Sequence, residues 1–211
     1  CVCNAGFSNA SAGDCDACAA GTYKAVIGNR ACTNCAAGKY SKTVAAETQD
    51  ACIECQANSA AEPGSALCAC NAGYSLSATA TCSSCSVGTY KTSWGTESCV
   101  ECPTDSTTQG SGASSCLCNA GYTGNGPCIA CKPGSYKPQI GSAACTACQG
   151  LRSSEAAADM CFCNAGYSDV GGTCATCEAG KFSNAETSSC TACPELSTST
   201  EGSSTCVCVD N

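Results

Sequence analysis

Cysteine is the residue type here that could do chemistry, and its spacing limits which chemistry. The chain holds 28 cysteines in 211 residues, and every one belongs to a close pair, CxC or CxxC. The CxC pairs stand at Cys1/Cys3, Cys68/Cys70, Cys116/Cys118, Cys161/Cys163 and Cys206/Cys208, with nine CxxC pairs between them. Paired CxxC can offer four sulfurs to zinc, and a single CxxC at a helix N-terminus can exchange disulfides through a lowered thiol pKa. Neither fits. There is no histidine, the interleaved CxC pairs have no role in a zinc site, and nine CxxC copies lack any helical context. Disulfide formation remains. It requires an extracellular or otherwise oxidising compartment, because cytosolic reductants would keep so many thiols reduced. The even count permits complete pairing of all 28.

Other chemistry finds little to stand on. General base work at neutral pH falls most often to histidine. The carboxylates Glu97, Glu101 and Asp105 sit on short loops with no rigid pocket to raise a pKa. The expectation is a non-enzyme with no cofactor and no metal. A calcium site of the kind that precedes the first cysteine of some small extracellular modules would need an acidic or amide cluster there. None precedes Cys85 or Cys131. The net charge of −8 repels a phosphate backbone, so nucleic acid is excluded as a partner. No stretch of 18 apolar residues offers a membrane span. The chain opens directly on Cys1, which suggests that any leader has been removed or lies outside this piece.

The elements that must position these cysteines are repeats. Each CxC opens a near-identical phrase: CVCNAGF at 1, CACNAGY at 68, CLCNAGY at 116 and CFCNAGY at 161. A second phrase follows the next CxxC: CAAGTYK at 18, CSVGTYK at 85, CKPGSYK at 131 and CEAGKFS at 177. A third, such as CPTDSTTQGSGASSC at 102, leads to the next CxC. The first repeat is longer by one extra copy of the second phrase, CAAGKYS at 35, running to Cys52. The modules are therefore 1–67 with an extra cysteine loop at 36–51, 68–115, 116–160 and 161–205. Residues 206–211 restart the phrase, which suggests a segment of a longer array or a protomer whose ends meet like ends. Joints of two residues leave little freedom for a hinge, so an elongated rod is expected. Gly, Asn and Ser punctuation rules out long helices and leaves short two-stranded ribbons, expected above all after each CxC.

Residues 85–128 carry a resemblance: Cys85, Gly88, Tyr90, Lys91, Cys99, Cys102, Pro103, Gly112, Ala113, Cys116, Cys118, Gly121, Tyr122 and Cys128. In this order they resemble the EGF-like cysteine-rich region of ephrin receptors and related surface proteins. The resemblance implies a small disulfide-rich fold of tandem EGF-like modules. It also implies that the second cysteine of each CxC pairs with the next cysteine after the GY turn: Cys3–Cys15, Cys70–Cys82, Cys118–Cys128 and Cys163–Cys174. For the other four cysteines of a module it implies a crossed order, Cys85–Cys102 with Cys99–Cys116. The clean one-loop insertion argues instead for simple loops, Cys85–Cys99 with Cys102–Cys116. Both orders stay open.

Nine of the aromatics fall at two phrase positions, after NAG or after Gly-x, and are expected to pack on a disulfide or a neighbouring module. Trp94 and Phe162 break that pattern and are candidates for contacts between modules or chains. Asn9-Ala10-Ser11 is an N-glycosylation sequon. Ser106, Thr107 and Thr108, like Ser197, Thr198, Ser199 and Thr200, follow a proline and are O-glycan candidates. The expected function is structural: a secreted, glycosylated rod that associates with copies of itself in a fibre, coat or longer array. The alternative is a receptor or adhesin ectodomain whose modules bind a protein or glycan. That alternative requires one module to differ on its surface, and the extra loop with Lys39, Lys42 and Glu47 is the candidate.

Overall fold

Loops closed by cysteines 10 to 17 positions apart cannot enclose an apolar core. The computed structural model describes residues 2–11, 14–78, 81–185 and 188–209, and among them no large aliphatic side chain is buried. Instead the buried apolar groups are cysteines, joined by Ala46 and Ala61. Among the described residues, thirteen disulfides hold the chain. A cross-link closing about 15 residues stabilises by roughly 3 kcal/mol, through the unfolded chain it restricts.

The pairing corrects the crossed order. Cys85 is bonded to Cys99 and Cys102 to Cys116, each cysteine to its sequence neighbour across a loop. The same rule joins Cys3 to Cys15, Cys70 to Cys82, Cys118 to Cys128 and Cys163 to Cys174. In every CxxC, therefore, the first cysteine closes one loop and the second opens the next. A closed single loop can be duplicated without disturbing its neighbours, as Cys35–Cys52 illustrates. Cys208, which stands where the other copies open a loop, is exposed and has no disulfide partner among the described residues. Cys1 lies outside the described residues.

Each of the thirteen loops carries one antiparallel ribbon. The residues after Gly pair with the residues between the cysteines of the following pair: Thr89–Tyr90 with Val100–Glu101, and Lys39–Tyr40 with Ile53–Glu54. This explains the two-residue spacing of CxxC, since those two residues are a strand. Ribbons after CxC, such as Tyr74–Leu76 with Cys82–Ser84, are four of the thirteen. The others sit in loops where the sequence offers no alternation long enough to read. Among the described residues, helix is confined to one turn, Gln49–Ala51.

The chain divides into two compact units, Cys1–Cys102 with Thr108–Cys116, and Pro103–Thr107 with Leu117–Asn211. Within each, loops are tied to the following loops by backbone hydrogen bonds. Gly73 donates to the Lys91 carbonyl, Lys91 to Ala113, and Gly112 back to Cys85. In the second unit, Gly121 donates to Lys137, Lys137 to Ala158, and Ala157 to Cys131. Such close backbone approach leaves no room for a side chain at Gly73. A Cβ there would lie 2.1 Å from the Gly112 carbonyl oxygen, and φ is +79°.

Gly88 shares the positive φ of +83° but faces open space. Gly88→Ala should therefore cost about 1 kcal/mol, the penalty of the left-handed backbone alone. Gly73→Ala should cost a further ~1–3 kcal/mol for the clash. Denaturant unfolding with the disulfides intact, followed by the single tryptophan Trp94, measures both.

Candidate functional surface

The buried polar groups are the first surprise. Lys24, Lys91 and Lys137 are 3%, 4% and 2% exposed, yet none makes an ion pair among the described residues. An ammonium taken from water must be compensated nearby. Here backbone carbonyls do it. Lys91 Nζ donates to the carbonyls of Cys70, Tyr74 and Gly95 at 2.9 Å and of Asn71 at 3.4 Å. Lys24 Nζ reaches Asn4 at 3.0 Å, Cys3 at 3.4 Å and Phe7. Lys137 Nζ reaches Gly141 at 3.1 Å, Cys118 at 3.4 Å and Gln139. Burial pulls the Lys137 amine below the ordinary lysine range. Each lysine thus pins a GxY loop to the CxC phrase before it. The sequence carried a signal for this, the K of GTYK and GSYK at one phrase position, but the same letters read equally as surface lysines. At that position the other copies bury Ser41 and Ser183, and Ser183 donates to the Tyr167 carbonyl at 2.7 Å, one bond in place of several.

Charged groups elsewhere are mostly solvated. Arg152 is the exception: its guanidinium meets Asp169 at 2.7 Å and donates to the Gly172 carbonyl at 2.8 Å, while Gly172 N–H donates to the same carboxylate. The Arg152 hydrogen bond, then that of Gly172, holds the Asp169 carboxyl below the usual range. The carboxylate of Asp105 raises the Tyr122 phenol. Glu97, Glu101 and Asp105 are exposed, and among the described residues no three His, Cys, Asp or Glu gather as metal ligands. No helix of the described residues is long and apolar enough to cross a membrane.

Of the modification candidates, Asn9 is exposed on the strand Phe7–Ser11. Thr198 and Thr200 are exposed, and Ser106, Thr107 and Ser197 half-buried. Thr108 and Ser199 are buried and must be withdrawn as O-glycan sites. The Thr108 hydroxyl accepts the Gly88 N–H at 2.9 Å, and Ser199 donates to the Lys181 carbonyl at 2.7 Å, so neither oxygen is open to a transferase. Trp94 and Phe162 are 50% and 40% exposed.

The extra loop does alter one surface. Lys39 pairs with Glu54 across its ribbon at 3.4 Å, and Glu47 is exposed. Tyr40 and Lys42 of that loop join Gln56, Leu67, Leu76 and Thr96 around a cleft of about 160 Å³. Four successive disulfide loops contribute to it. Leu67 and Leu76 remain 56% and 52% exposed.

Comparison with known proteins places this geometry. Residues 6–52, 73–116 and 120–158 match the family described as tyrosine-protein kinase ephrin type A/B receptor-like. Ephrin type-B receptor 2 of Coturnix japonica is 45% identical over 56 residues, and that of Gallus gallus 43% over 56. Each alignment covers 26% of this chain and 6% of the receptor, so the likeness is to one small region of those proteins. Together with the disulfides, it places the chain outside the cell or at its surface.

Because the buried ammonium serves several carbonyls, Lys91→Met should destabilise its module by about 1–3 kcal/mol. Lys42→Met, at an exposed position, should change stability by less than about 0.5 kcal/mol. Amide exchange at Gly95 and Cys70, whose backbones line the cage, should accelerate in the first variant only.

Proposed function

The chain belongs to the ephrin type A/B receptor-like family, and on that premise we propose that it is part of a non-catalytic ectodomain that presents a ligand-binding face. The observation that carries this reading is the family match across most of the modules, beside a cleft where the extra loop alters the surface. The fibre reading drew on uniform repeats and on a phrase that restarts at 206. Neither distinguishes an array that builds a filament from one that holds binding modules apart, and the receptor likeness favours the second.

The secreted, oxidised chain, displayed as a dimer to raise avidity, should bind some cell surfaces saturably. Binding should disappear after reduction and persist at concentrations where the protein stays monodisperse. Absence of saturable binding across a broad cell panel, together with filaments in electron micrographs of concentrated protein, would return the structural reading.

A further inference from the structure

The repeat supplies its own control for what is specific in the cleft. At the position after the buried Lys or Ser, the five copies carry Ala25, Lys42, Thr92, Pro138 and Asn184. The extra loop alone moves its cation one residue outward, burying Ser41 and exposing Lys42. Two residues after NAG-Tyr or NAG-Phe, the four copies carry Asn9, Leu76, Gly124 and Asp169. Only the second has an aliphatic side chain there. Both departures converge on the same cleft, beside the ring of Tyr40 and the exposed Leu67.

Resting on the ligand-binding reading above, we propose that this cleft docks a protein ligand through one large apolar side chain flanked by a carboxylate. The cleft is open to solvent, and its volume of about 160 Å³ is of the size that takes one side chain rather than a longer segment. Its apolar lining includes Tyr40, Leu67 and Leu76, which would meet carbon on the ligand. Charge selects the flank. In a chain of net charge −8, Lys42 is an exposed cation with no ion pair among the described residues, and it stands at the cleft's edge. Elsewhere the acidic surface repels anionic partners, so a local cation beside an apolar cleft fixes both the site and the register of an acidic-apolar segment. Gln56, Ser59 and Thr96, also in the lining, supply neutral polar groups for the ligand backbone.

The test uses the full oxidised chain, isotope-labelled, titrated with two blocked dipeptides: N-acetyl-Asp-Phe-amide and N-acetyl-Lys-Phe-amide. The acidic dipeptide should shift amides of Tyr40, Lys42, Leu67 and Leu76 and leave the second compact unit unchanged. Its affinity should fall about tenfold in Lys42→Glu and in Leu76→Asp. The basic dipeptide should bind at least several-fold more weakly. Equal shifts from both dipeptides would overturn the proposal. So would shifts spread over the whole chain, or the same amides answering only to sialyllactose or to rising protein concentration. Cell binding separates the two readings. If Leu76→Asp abolishes the dipeptide response but binds cells like the wild type, this site fails and the ectodomain reading survives. If the wild type binds no cells, that reading fails, and the dipeptide result then reports on the cleft alone.

Discussion

In each CxxC the two sulfurs are divided, one closing the loop behind and one opening the loop ahead, and two extended residues between them hold the loops in register. With its cysteines only 10 to 17 positions apart, a loop has almost no interior. Its backbone amides and carbonyls must find partners outside it, and the neighbouring loops are the nearest source. The close approach of Gly73 to Gly112 and of Gly121 to Ala157 follows directly, because only bare backbone can come that near. The half-sulfur, half-backbone core is thus a consequence of loop size rather than of composition alone.

The buried lysines complete the same arrangement. Where a GxY loop meets the CxC phrase before it, several carbonyls converge with few N–H groups to serve them. A long side chain ending in three donors answers that convergence, and the carbonyl dipoles compensate its charge in place of a carboxylate. A serine at the same position reaches one of these carbonyls and leaves the rest to other partners, as Ser183 does. Two of the five copies tolerate that exchange, and one of them is the extra loop. There the lysine reappears one residue later as Lys42, which converts a structural cation into a surface one. The feature proposed to bind a ligand therefore arises by displacing the feature that holds the other modules together.

Much of this was legible in the residues. Cysteine spacing gave the module type, the compartment and the extra loop, because close cysteine pairs in a repeated phrase fit little besides a disulfide array. The order of pairing was not legible. Likeness to EGF modules pointed to crossed bonds, while the duplicated single loop pointed to sequential ones, and only the folded backbone decides between strands that place Cys85 against Cys99 or against Cys102. The lysines hid for a different reason. A lysine letter says nothing about burial until the carbonyls around it are in place. Thr108 and Ser199 likewise read as open hydroxyls, yet each is consumed by a neighbouring loop. The cleft joins residues from four loops, and no local pattern brings Lys42 to Leu76.

Cleavage at a single peptide bond tests the pairing most directly. Glu101 is exposed and stands between Cys99 and Cys102. A glutamate-specific protease acting on the unreduced chain should release, under denaturing conditions, segments ending at Glu101 that share no disulfide with any segment beginning at Cys102. Mass spectrometry should find Cys85 joined to Cys99 and Cys102 to Cys116. Fragments that stay linked across Glu101 until reductant is added would establish crossed pairing and contradict the sequential order.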